Sequence, residues 1–134
     1  YNTENLQNNL YLYKIAIEKD NLYEAFKTLK SECPPGIDGY TKVSYTKQLH
    51  NSITKLQKDL RLHKYKPSPI KIVHISTDSG SKYPLGISSV RDKIVQATFK
   101  KRLELIYEPI FRNCSFGFRP NLNCHSAVKQ IKKK

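Results

Sequence analysis

The stretch Ile70-Lys71-Ile72-Val73-His74-Ile75-Ser76, answered after a short polar link by Lys82-Tyr83-Pro84-Leu85-Gly86-Ile87, decides the fold class of this 134-residue chain. The first segment is rich in β-branched residues, which suit a pleated surface, and it reads as a strand. Asp78-Ser79-Gly80-Ser81 has turn chemistry, so residues 82–87 return as the second strand of a hairpin. His74, inside the strand pattern, is expected to be half buried. The period then changes. Ser88 or Ser89 can cap a helix, and Ser89 with Asp92 three residues on resembles a capping box with Asp in place of Glu. Ile94, Ala97, Phe99, Leu103, Ile106 and Ile110 keep helical spacing over residues 90–111, and Pro109 is placed to kink the end.

Upstream, Leu6, Leu10, Tyr13 and Ile17 line one helix face, and Asp20-Asn21 can cap a second helix carrying Leu22, Phe26 and Leu29. Cys33-Pro34-Pro35-Gly36-Ile37-Asp38-Gly39 breaks that pattern, because proline cannot continue a helix and glycine permits positive φ. A third helix presents Leu49, Ile53, Leu56 and Leu60, and Tyr65-Lys66-Pro67-Ser68-Pro69 ends it. Downstream, residues 112–122 read as a loop punctuated by Gly117 and Pro120. Asn123 can cap a last helix with Ala127, Val128 and Ile131, still in pattern at Lys134. The expectation is an α+β chain: a helical part over residues 1–62, then a basic hairpin and long helix over 63–134, forming an incomplete domain. No Met occurs, so the reading expects a processed chain or a piece of a longer one.

Charge is the first functional clue. Lys and Arg number 24 against 11 Asp and Glu, a net of +13. Residues 1–60 hold 8 basic and 7 acidic residues, whereas residues 61–134 hold 16 and 4, a net of +12. Such a half-chain carries a positive field over about 8–10 Å in physiological salt, and nucleic acid is the natural partner. No run of 18 apolar residues offers a membrane span, so no membrane partner is expected. Lys outnumbers Arg by 19 to 5, and Asn, Ile and Tyr are frequent. These residues have AT-rich codons, which points to an organellar matrix, a mitochondrion above all, or to a low-GC bacterial cytoplasm.

Catalytic and metal patterns are missing from the sequence. The carboxylates are scattered, and no glycine-rich phosphate loop occurs. Cys33, Cys114 and Cys124 have no C-x-x-C spacing and read as free thiols, with no metal or other cofactor expected in this chain. Nucleic-acid contact has better candidates. Lys64, Lys66 and Lys71 flank the Pro67/Pro69 elbow, and Lys82, Arg91 and Lys93 lie around the hairpin and the start of the long helix. Phe116, Phe118 and Arg119 in one loop offer stacking surfaces beside a cation, which suits unpaired RNA. Phe116 reads equally well as a plug of the core.

Read in order, Pro84-Leu85-Gly86-Ile87, Arg91-Asp92-Lys93-Ile94-Val95-Gln96, Glu108-Pro109-Ile110-Phe111 and Ser115-Phe116-Gly117-Phe118-Arg119-Pro120, with His125 and Ala127, resemble the group II intron-encoded reverse transcriptases, the maturases. Gly36-Ile37-Asp38-Gly39 and Tyr65-Lys66-Pro67-Ser68-Pro69 extend the resemblance upstream. It implies the fingers and the start of the palm of a right-hand polymerase. It also implies binding to intron RNA, help in its splicing, and RNA-templated DNA synthesis by a full-length parent. Carried over, Arg91, Gln96, Arg119, Pro120 and His125 match motif positions expected to touch RNA or template.

Two departures matter. The resemblance puts the family's catalytic aspartates, and the Mg2+ they hold, beyond Lys134, so this chain alone is not expected to polymerise. The hairpin positions that carry a Lys and an Arg to clamp the triphosphate read as Thr77 and Tyr83. Hence a second expectation stands beside the first: a degenerate fragment serving as a structural, RNA-binding subunit of an organellar ribonucleoprotein such as a mitochondrial ribosome. Its partners would be ribosomal RNA and other subunits, in place of intron RNA and the remainder of the polymerase.

Overall fold

Helix α1 spans Thr3–Ala16 and α2 spans Lys19–Thr28, and their junction opens the core. A computed structural model describes residues 3–76, 80 and 82–132, with side chains from residue 10 onward. The core joins Ile17 to Leu22, Ala25 and Phe26 of α2, to Tyr45, to Ile53, Leu56 and Leu60 of α4 (Leu49–Arg61), and to Val90, Ile94 and Val95 of α5 (Val90–Tyr107). Leu22, Ile53, Leu56 and Ile94 are fully buried, each worth about 1.5–3 kcal/mol of transfer from water. The α4 face read from the sequence is therefore the core face. Of the face read for α1 only the far end is: Ile17, just past the helix, is buried, Tyr13 half buried and Leu10 exposed, and the side chain of Leu6 lies outside the described residues.

Polar groups inside this unit are paired. Gln57, buried, donates to the Ile17 carbonyl at 3.1 Å, and the Tyr13 hydroxyl donates to the Leu60 carbonyl at 2.9 Å. The Lys42 ammonium donates to the carbonyls of Leu29 and Lys27 at the end of α2 and lies over the Phe26 ring. A cation there satisfies carbonyls the helix leaves open.

Three local features differ from the sequence reading. Helix α2 starts at Lys19, one residue before Asp20-Asn21, with Glu18 at the N-cap; the Asn21 amide instead donates to the Ile15 carbonyl at 2.7 Å, satisfying the end of α1. A short helix α3, Lys42–Thr46, was not anticipated: Thr41 and Ser44 cap each other reciprocally, with Ser doing the work usually given to Glu or Gln. His63, with φ of 53°, occupies the left-handed position after α4 that glycine usually takes. Its N–H bonds the Leu60 carbonyl, the Lys64 N–H bonds the Asp59 carbonyl at 2.8 Å, and its ring stacks on Tyr13 at 5.6 Å.

The hairpin is as expected. β1 (Lys71–Ser76) pairs antiparallel with β2 (Lys82–Ile87), Lys71 opposite Ile87 and Ser76 opposite Lys82. Its turn lies outside the described residues apart from Gly80, whose φ is 80°. The strands form a sheet of two, with most side chains on both faces exposed. That is why His74 is exposed and not half buried.

Ser89 caps α5, its hydroxyl accepting the Asp92 N–H at 3.2 Å. A short 3-10 turn, Glu108–Ile110, with Pro109 in it, follows α5. Asn123 caps α6 (Cys124–Ile131), its Oδ1 accepting the Ser126 N–H at 2.9 Å. By internal packing the chain divides into two compact units, one ending at Lys100 and one starting at Lys101. The architecture is α+β.

Candidate nucleic-acid interface

In the first unit the elbow at Tyr65 is fixed by two helices. At the end of α4 the Asp59 carbonyl accepts the Tyr65 N–H at 3.1 Å. From α5, Asp92, only 3% exposed, accepts the Tyr65 hydroxyl at 2.6 Å on one oxygen and the Ser68 N–H at 2.8 Å on the other. The neighbouring Arg91 pairs with the Asp59 carboxylate at 2.8 Å and sets its guanidinium 5.1 Å from the centre of the Tyr65 ring. Burial pushes the Tyr65 phenol well above its ordinary pKa, and the hydrogen bond and charge of Asp92 push it further, against the opposing charge of Arg91.

The cations of the elbow and hairpin face outward. Lys64 and Lys66 flank Tyr65, Lys71 opens β1 and Lys82 opens β2, and all four are exposed. Strand alternation puts Lys71, Val73, Ile75, Tyr83, Leu85 and Ile87 on one face and Ile72, His74, Ser76, Lys82 and Pro84 on the other. Lys82 is therefore on the opposite face from Tyr83 and does not replace a cation there. Thr77 lies outside the described residues. Lys93 donates to the Pro34 carbonyl at 3.1 Å, tying the Pro-Gly loop to the start of α5, and Gln96 is exposed with its amide 3.4 Å from the Ser88 hydroxyl.

In the second unit Arg119 organises its own loop. Its Nε and Nη2 donate to Glu108 Oε1 at 3.0 and 2.8 Å, and its Nη1 donates to the carbonyls of Ser115 and Arg112 at 2.8 and 3.2 Å. The guanidinium lies 5.1 Å from the Phe111 ring centre. Phe118, immediately before it, has φ of 58° and a wholly exposed ring. Pro120 and His125 are exposed. Phe116 is half buried and lines a cavity with Cys114, Ala127, Gln130 and Ile131, so it packs locally and does not stand out as Phe118 does.

The candidates thus separate into two sorts. Lys64, Lys66, Lys71, Lys82, Phe118, Pro120 and His125 present exposed side chains, whereas Arg91 and Arg119 spend much of their hydrogen bonding on the fold. Asp59, which helps hold the elbow, was not singled out from the sequence, while Tyr65 and Asp92 entered only as members of the motif series, Asp92 also as a capping residue, and neither was expected to fix the elbow. Their signal is long-range: Asp59 meets Arg91 across 32 positions, and Tyr65 meets Asp92 across 27. Among the described residues no group of three or more His, Cys, Asp or Glu is placed to hold a metal ion.

The comparisons agree with the motif series. The chain is 33% identical over 123 residues to the group II intron-encoded protein LtrA of Lactococcus lactis, covering 91% of this chain and 20% of that protein. It is 35% identical over 131 residues to a 91 kDa protein in the cob intron of Schizosaccharomyces pombe, 97% of this chain and 16% of that one. It is 36% identical over 114 residues to the COX1/OXI3 intron 2 protein of Saccharomyces cerevisiae, 82% of this chain and 12% of that one. The chain thus spans a fifth or less of these relatives. No family model matches it.

Proposed function

We propose that this chain, a homologue of the group II intron-encoded proteins, is the fingers portion and the start of the palm of a reverse transcriptase/maturase, and that its work is to bind RNA. The observation that carries the reading is the set of exposed lysines, Lys64 and Lys66 on the elbow and Lys71 and Lys82 on opposite faces of the hairpin, within the half of the chain that has a net charge of +12. A polyanion can contact Lys64 and Lys66 while the elbow that carries them stays fixed, and it can wrap the hairpin to reach Lys71 and Lys82. Phe118, wholly exposed beside the anchored Arg119, offers the second unit a stacking face for an unpaired base. Tyr83, exposed and uncharged at a clamp position, favours RNA binding and splicing over capture of a triphosphate. Relatives named for yeast cob and COX1 introns stand beside a bacterial one, so the reading places the chain in a mitochondrion or a bacterial cytoplasm. Among the described residues no helix is long and apolar enough to cross a membrane.

The test is fluorescence anisotropy of a labelled unstructured RNA titrated with the chain. Binding in the range of about 1–100 µM at physiological salt is expected from phosphate contacts alone. An anisotropy that stays flat through that range contradicts the reading.

A further inference from the structure

We infer that Asp92 and Tyr65 form a latch that positions the lysines of the elbow for RNA, an inference that rests on the RNA-binding reading. Asp92 is buried, and each of its carboxylate oxygens is committed: one to the Tyr65 hydroxyl at 2.6 Å, the other to the Ser68 backbone N–H at 2.8 Å. The two contacts bracket Lys66, whose backbone is therefore held at both ends. Lys64, on the other side of Tyr65, is tied through its own N–H to the Asp59 carbonyl at 2.8 Å. Asp59 in turn pairs with Arg91, the neighbour of Asp92 on α5. Pro67 and Pro69 fix φ at two further positions, leaving few free torsions between α4 and β1.

The arrangement is an acid at the centre of a basic edge. Charge alone argues that a carboxylate beside Lys64 and Lys66 weakens their hold on phosphate. Its burial and double commitment argue the reverse role. It orders the segment before RNA arrives, so binding does not have to order it. Asp92 and Tyr65 are positioning residues here, acting through the lysines and not by touching RNA.

The two accounts give opposite signs for one substitution. Asp92→Ala raises the net charge by one, so bulk attraction predicts tighter RNA binding, whereas the latch predicts binding weaker by about fivefold. Tyr65→Phe keeps the charge and the ring and removes only the hydroxyl, so it serves if Asp92→Ala does not fold; it too is expected to weaken binding about fivefold. In both variants the salt slope of affinity should stay at the parent value, because every lysine remains. Lys66→Ala should lower the slope by about one. Amide exchange at Ser68 should quicken in both latch variants. Affinity unchanged or tightened in a folded Tyr65→Phe chain, even with a lowered Tm, overturns the latch and leaves the RNA-binding reading intact. A parent chain with no affinity for RNA overturns both.

Discussion

Gly36 lies against the N-cap of α5 so closely that a Cβ built on it would stand 2.7 Å from both the N and the Cα of Ser89. Backbone cannot yield as a flexible side chain would. Gly36→Ala should therefore cost about 1–3 kcal/mol, by moving the Pro34–Gly39 loop off α5. A lowered Tm with the helical signal kept is the expected result of thermal unfolding followed by circular dichroism. A Tm equal to the parent's would show that the loop shifts without cost.

Arg119 should not tolerate lysine. A lysine keeps the charge but loses the fork that reaches Glu108 and two loop carbonyls together, and it loses the guanidinium that lies over the Phe111 ring. Arg119→Lys is expected to destabilise residues 112–119 by about 1–3 kcal/mol, seen as faster amide exchange there. Exchange unchanged from the parent would contradict the organising role.

Asn123→Ala removes the side-chain acceptor for the Ser126 N–H at the start of α6. The expected loss is about 1 kcal/mol, confined to the second unit and read as faster exchange over Cys124–Ile131. An equal loss of protection throughout the first unit would mean that the cap matters beyond its own helix.

The raised phenol of Tyr65 sets an alkaline limit. Its folded pKa lies above the ordinary value of 10.0, because burial and then Asp92 favour the neutral form. Stability from this group is full below pH 10.0 and is lost as pH climbs toward the folded pKa. Between pH 9 and pH 11 the parent should lose more stability in urea unfolding than Tyr65→Phe does. Parallel losses would show that Tyr65 is not the group responsible.

Much of this was legible locally. The hairpin follows from two runs of extended-favouring residues around a Gly-containing turn, and the α4 face from Ile53, Leu56 and Leu60 at helical spacing. The Ser89 and Asn123 caps are short-range rules that the fold obeys. What escaped was the choice of distant partners. Asp92, legible as a capping residue, turns its carboxylate to Tyr65 and Ser68, and nothing within four residues announces that. Arg91 and Arg119 look like ligands for phosphate in a basic sequence, yet the structure gives them Asp59 and Glu108. His63 takes a conformation suited to glycine and stacks its ring on Tyr13, a contact made across 50 positions.

RNA affinity of the intact chain across a salt series tests the central claim most directly. If Lys64, Lys66, Lys71 and Lys82 each neutralise one phosphate, log affinity should fall linearly with log salt with a slope of about −3 on a single strand. Lys82→Ala should bring that slope toward zero by about one. A flat line, or an affinity for RNA that salt does not weaken, would contradict the account.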